Sequence, residues 1–401
     1  MPQDLAASPA FQMSILLFVA LAGYLLAYRI NQSAVVGIIL AGILVGPSLL
    51  GLVTYTDFVS SLANLGAIVL LFTIGLEFEV KEIAKVKYFV IALLGVIVPW
   101  ISGYFLSRAF SYDFKASIFI GTALTATSIA VTANVLREMG KLQTDAARAI
   151  IGAAVVDDIL GLMALSISES LVSSSVQVWP VVFTMLKAVT FVTVGIFTGK
   201  TILVKLLSIF DRSKLAEKYP QSIFIFAMMM AFLYSIAAEI VGLSAIVGAF
   251  LAGASFAGVH LKRAHIFKEG AEHLQIIFAA IFFISLGVIM DLHVVTAKLL
   301  IFVAVLTLVA IAAKIIGCGG AARVLGMKTR ESIIIGVGMV PRGEVAMIVA
   351  LIGLNQALIT QSTYSALILV SLLSTVIPPV ILRNWLFKKN PDSIEELPID
   401  S

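Results

Sequence analysis

The chain has 401 residues, 60% of them hydrophobic and only 12% charged, with a mean hydropathy of +1.09 and a formal net charge of +4. A soluble domain carries about 25% charged residues, and a soluble fold of this length could not bury so much apolar surface. The single cysteine, Cys318, excludes a disulfide scaffold, and the scattered basic residues form no continuous stripe for nucleic acid.

A bilayer crossing needs roughly 20 apolar residues. Thirteen runs meet that need, at approximately 10–28, 34–53, 58–76, 88–107, 116–136, 146–168, 178–204, 221–241, 243–259, 274–290, 299–320, 331–353 and 362–385. The chain therefore reads as an all-α polytopic membrane protein. Before the first run the only charge is Asp4, so a signal peptide with a basic start is excluded. With the N-terminus outside, every basic residue between the runs falls inside except Arg108, Lys115 and Lys298. Basic residues gather on the cytoplasmic side, which predicts a multi-pass plasma-membrane protein with its C-terminus in the cytoplasm. Residues 1–390 are expected to form the transmembrane domain and 391–401 a short cytoplasmic tail, with no soluble regulatory domain attached.

In the second span VVGIILAGILVGPSLLG (35–51) echoes SAIVGAFLAGASFAG (244–258), setting Gly37, Ala41 and Gly42 over Gly248, Ala252 and Gly253 at an offset of 211. In the third, AIVLLFTIGLEFEV (67–80) echoes AAIFFISLGVIMDL (279–292), with Gly75 over Gly287 and Glu79 over Asp291 at an offset of 212. The second span runs outward and the ninth inward, so the repeats are inverted, as in secondary transporters. Repeat one covers about 34–169, linking helices about 178–241, and repeat two about 243–385. Glu77 closes the third span at the cytoplasmic interface, as a solvated carboxylate or a pH-sensing candidate.

The fifth span holds Thr125-Ala126-Thr127-Ser128, and its repeat equivalent, the twelfth, holds Gly336, Gly338, Pro341, Arg342 and Gly343. Hydroxyls can re-satisfy freed backbone groups, and Pro341 cannot continue a regular helix. Both spans are expected to be discontinuous and to cross. The sixth span carries Asp157-Asp158 near its centre, where one charge costs at least ~2.5–3.5 kcal/mol. Neighbouring helix positions point about 100° apart, so the two carboxylates face different partners. Lys187 in the seventh span has no counterpart in this scheme, and Lys200 snorkels to the inner interface. Lys314 in the eleventh span is the counter-charge for one of the aspartates, and Arg342 with Glu344 forms a second candidate buried pair. Asp158, Thr127, Ser128 and freed carbonyls supply the oxygen donors that a hard cation such as Na⁺ prefers. His260, His265, His273 and His293 lie at span ends without clustered cysteines or carboxylates, which argues against a transition-metal site.

The strings FIGTALTATSIAVTANVLREMGKL (119–142), AAVVDDILGL (153–162), AAK (312–314) and GVGMVPRGEVAMIV (336–349), with LAGILVGPSLLG (40–51) and FTIGLEFEV (72–80), resemble the cation/proton antiporter superfamily. The NapA-type sodium/proton branch is the nearest match. Adjacent Asp-Asp discriminates it from electroneutral relatives with Asn-Asp and potassium-efflux systems with Gln-Asp. The resemblance implies an elevator-like homodimer whose core domain moves against a dimerisation domain, without a cofactor. It implies that Asp158 is the shared Na⁺ and H⁺ site and that Asp157 forms a salt bridge with Lys314. Thr125–Ser128 and Val340–Gly343 would then cross beside the site, and the exchange would be electrogenic, with Li⁺ or K⁺ as further candidate cargo. A potassium/proton antiporter of the same fold is the main alternative. An intramembrane aspartyl protease needs its two aspartates on facing helices, which adjacent residues cannot provide. Nothing in the chain resembles the selectivity-filter loop of a channel.

Overall fold

The computed structural model describes residues 8–78, 85–172, 178–257, 259, 262, 264–290 and 297–387. Local chemistry sets where each helix starts and stops. α1 (Pro9–Arg29) begins on Ser8, whose hydroxyl accepts the Phe11 N–H at 3.2 Å. α2 (Ala34–Val45) follows Ser33 and stops at Gly46, where the backbone turns extended ahead of Pro47. The second span, expected to reach 53, is therefore only 12 residues long, because Pro47 has no N–H to carry it on. α3 (Asp57–Leu76) is capped by Thr56, and α4 (Val86–Ala109) follows. α5 (Phe114–Ala123) starts on Asp113, whose carboxylate accepts the Ala116 N–H at 2.9 Å. The chain then leaves the helix over residues 124–128 and resumes as α6 (Ile129–Glu138).

α7 (Asp145–Val172) is unbroken. α8 (Val178–Thr198) runs through a π turn into α9 (Val204–Asp211), so the seventh span extends past the expected 204. A short connector, α10 (Lys214–Lys218), leads to α11 (Ser222–Val241), which ends at Gly242 with φ 92°. α12 (Ala245–Phe256) is again shorter than its expected run, and α13 (Ala264–Val288) follows. α14 (Ala297–Lys314) passes through a π turn at Ile315–Gly319 into α15 (Gly320–Val324). α16 (Thr329–Gly338) and α17 (Glu344–Asn355) flank a second break, and α18 (Gln361–Ile381) closes the bundle. Nine helices among the described residues are long and apolar enough to cross a membrane alone; α2, α5, α12 and α17 are shorter apolar helices. With each broken or π-interrupted pair taken as one crossing, thirteen crossings result.

The packing separates into two bodies. In one, here the panel, α3 lies along α12 and α13, α2 along α1 and α13, and α11 along α12. In the other, the core, α4 packs on α5, α7 and α14, α17 on α5 and α18, and α16 on the π turn after Lys314. Contacts between the bodies, through α6 and α18 against α2 and α3, are sparser. Each repeat gives its first two spans to the panel and its last three to the core. Glycines report the inversion. Gly42 meets α13 at Ile284 and Gly287, and its equivalent Gly253 meets α3 at Phe72 and Gly75, which is itself the equivalent of Gly287. A Cβ at Gly42 or Gly253 would overlap a carbonyl oxygen of the facing helix, so these backbones touch only because no side chain intervenes. The expected match of Glu79 to Asp291, the loop residues His260 and His293, and the tail 391–401 lie outside the described residues.

Candidate ion-binding site

The two breaks cross and bind each other through their backbones. The Ser128 N–H donates to the Pro341 carbonyl at 2.7 Å. The Thr132 hydroxyl donates to the Gly338 carbonyl at 2.6 Å, and the Thr127 hydroxyl to the Met339 carbonyl at 3.3 Å. Four helix ends meet here: the carbonyl ends of α5 and α16, and the amide ends of α6 and α17. Carbonyl ends carry partial negative charge and attract cations.

Two buried cations occupy that position. Lys314, 0% exposed, donates to the Thr125 carbonyl and the Thr127 hydroxyl, both at 2.7 Å, and to Asp157 Oδ1 at 3.1 Å. Arg342, 2% exposed, donates to the Leu124 carbonyl at 2.9 Å and the Val340 carbonyl at 3.1 Å, bridging the last turns of both half-helices. The Arg342 carbonyl in turn accepts the hydroxyls of Ser371 and Thr375 on α18. Lys314 thus pairs with the first aspartate. The expected partnership of Arg342 with Glu344 rests on a side chain outside the described residues; the described bonds of Arg342 go to carbonyls.

Asp158, next along α7, faces away from this pair and is half-buried. Its Oδ2 accepts the backbone N–H of Ser244 at 3.3 Å, at the turn that opens α12, so it touches the panel. It lines a cavity of about 630 Å³ together with Ser60, Asn64, Glu239, Ser285 and Tyr364. Of the other expected oxygen donors, the Thr127 hydroxyl is engaged by Lys314 and Met339, and the Thr125 hydroxyl donates to the Thr122 carbonyl at 2.8 Å. The Ser128 hydroxyl is buried, with no hydrogen-bond partner among the described residues, against Gly343. No hydrogen bond joins Asp158 to Thr127 or Ser128 among the described residues.

At the opposite end of α3 the bodies are tied together. Arg137 on α6 pairs with Glu77 at 3.1 Å and with Glu272 of α13 at 3.5 Å, and donates to Gln275. Glu138 accepts the Ser33 hydroxyl at 2.6 Å and the Ala34 N–H at 3.1 Å, gripping the start of α2. Glu138 lies beyond the apolar run, exposed at the end of α6, and Asn134 donates to its other oxygen at 2.9 Å. Glu77 is thus an ion-paired residue at the end of α3. Sequence reasoning missed Ser244, Glu138 and Arg137 as contributors. The available signal was the repeat itself: Ser33-Ala34 and Ser244-Ala245 open equivalent helices, and each receives a core carboxylate.

Residues 15–388 match the sequence model described as sodium/hydrogen exchanger, transmembrane. An Na(+)/H(+) antiporter of Enterococcus hirae is 35% identical over 92% of this chain and 96% of its own length. The Na(+)/H(+)-K(+) antiporter GerN of Bacillus cereus is 32% identical over 93% of this chain and 95% of its own. Among solved structures, the sodium proton antiporter MjNhaP1 of Methanocaldococcus jannaschii superposes with a TM-score of 0.67 at 17% identity, covering 93% of this chain and 96% of that one. With both bodies, the crossing and the buried charges in place, the chain belongs to the sodium/hydrogen exchanger family of transmembrane transporters.

Proposed function

We propose that the chain exchanges Na⁺ for H⁺ across the plasma membrane at Asp158. The observation that carries this reading is the placement of Asp158: a half-buried carboxylate that meets the panel at Ser244 and lines the cavity between the bodies. An ionised carboxylate carried through the membrane interior is costly. Either Na⁺ or H⁺ neutralises it, so the core crosses when loaded and stalls when empty, and competition for one carboxylate couples the two flows. Asp157 stays with Lys314, and the two aspartates with one lysine support an electrogenic cycle. The polar ties at the Glu77 end of α3 and the cavity at the other end fit one face of an alternating-access cycle, with a homodimer as the assembly. The concentration of basic residues at the tied end supports a cytoplasmic location for that face.

Proteoliposomes with an acidic interior and a pH dye test this. Addition of Na⁺, Li⁺ or K⁺ is expected to give dequenching with Na⁺ that responds to a potential clamp and vanishes in Asp158→Asn. Sodium-driven exchange by folded Asp158→Asn would remove Asp158 from the site. The name of the relative GerN favours including K⁺ as a second cargo, and a response to K⁺ alone would move the chain to that reading.

A further inference from the structure

Lys187 plays no part in the ion site. It lies on α8 eight residues from Trp179, about 12 Å along the axis at 1.5 Å per residue, and both side chains are exposed on the outside of the bundle. The Lys187 ammonium stands 4.4 Å from the centre of the Phe183 ring, one turn nearer Trp179. It is therefore folded back toward the membrane surface on that side, where tryptophans concentrate. Beside it, between α8 and α11, is a cavity of about 460 Å³ walled by Phe183, Leu186, Val194, Ala237 and Val241. Two of the hydroxyls lining it are engaged within the protein: Tyr234 donates to the Gly195 carbonyl at 3.1 Å and bonds Thr198 at 2.7 Å. Among the described residues Lys187 is the one charged residue lining this groove, and no carboxylate pairs with it there.

We propose that this groove binds an anionic phospholipid, with one acyl chain against the apolar wall and the phosphate on Lys187. The match is one of charge and depth. A cation at the mouth of an apolar groove below the interface fits a ligand that carries a negative head and a hydrocarbon tail. A soluble anion would leave the groove empty, and a zwitterionic lipid brings its own cation to compete.

The full chain, purified and stripped of lipid in detergent, would be titrated with phosphatidylglycerol while thermal unfolding is followed and bound lipids are counted by native mass spectrometry. The half-saturating concentration is expected to rise roughly fivefold in Lys187→Ala, the share one basic side chain contributes toward anionic headgroups. It is expected to stay unchanged in Lys187→Arg and in Lys200→Ala, an exposed lysine further along the same helix. Ala237→Phe, which fills the groove and keeps the charge, is expected to lose the bound lipid, and phosphatidylcholine to give no saturable shift. Equal binding by wild type and Lys187→Ala would overturn the proposal. So would equal stabilisation by inorganic phosphate, which would mark a free-anion site. Lipid-independent crosslinking of Leu186→Cys between copies, in a Cys318→Ala background, would also overturn it by showing that a second copy covers the groove.

Discussion

Lys314 carries a charge where no surface is exposed, and the Thr125 carbonyl, the Thr127 hydroxyl and Asp157 engage its three hydrogens. Removing one partner of a buried pair leaves an uncompensated charge and costs about 3–5 kcal/mol. Lys314→Ala is therefore expected to lower the unfolding midpoint strongly, and Lys314→Ala/Asp157→Asn to recover most of the loss. A double variant no more stable than the single one would show that the pair is not the source. Arginine is a poor substitute, because its planar fork does not match three acceptors arranged around a point. The position of Lys314 in the eleventh span and the depth of both aspartates were legible in the sequence. Which aspartate it meets was not, since the two point about 100° apart and only the packing of α14 and α7 on α4 decides.

Among the helices, backbone proximity decides what the site can contain. Gly95 on α4 faces the π turn after Lys314; a Cβ there would overlap the Cys318 sulfur and lie 3.7 Å from Asp157 Oδ1 and 3.8 Å from Lys314 Nζ. Overpacking a filled core costs about 1–3 kcal/mol. Gly95→Ala is expected to destabilise by that amount and to slow exchange, and Cys318→Ala in the same chain to restore both by removing the sulfur. Thermal unfolding and proteoliposome flux would check it; a Gly95→Ala chain with wild-type stability would mean that α4 and the turn can separate freely. The broken spans were readable from Pro341 and the run of hydroxyls. The shortness of α2 and α12 was not, because the apolar composition continues past the point where each helix stops.

For the whole molecule, the question is which face opens and what controls it. Glu138, exposed at the end of α6, ties the core to the start of α2 by accepting the Ser33 hydroxyl and the Ala34 N–H. Both bonds are donated to the carboxylate, so they are strongest while it is ionised and acidification weakens the tie. Glu138 is surrounded by Tyr24 of α1, Arg383 after α18, Ser33, and Asn134 of its own helix. Glu138→Gln cannot ionise and is expected to flatten the dependence of exchange on pH. An unaltered pH profile in that variant would assign the pH response elsewhere.

Composition and periodicity by themselves determined that the chain lies in a membrane, that it crosses about thirteen times, and that two inverted halves each contain an interrupted span. These follow from the cost of exposing backbone polar groups to lipid and from the repeat of Gly42 and Gly75 at Gly253 and Gly287. Tertiary structure alone decided that Lys314 takes Asp157, that Arg342 serves the carbonyl ends of both broken helices, and that Asp158 is left at the cavity touching Ser244. Glu77 and Glu138 became ties between two bodies only where α6 meets α2, α3 and α13. Such pairings join residues far apart in the chain, and no local pattern specifies which charged side chain finds which partner once all of them are withdrawn from water.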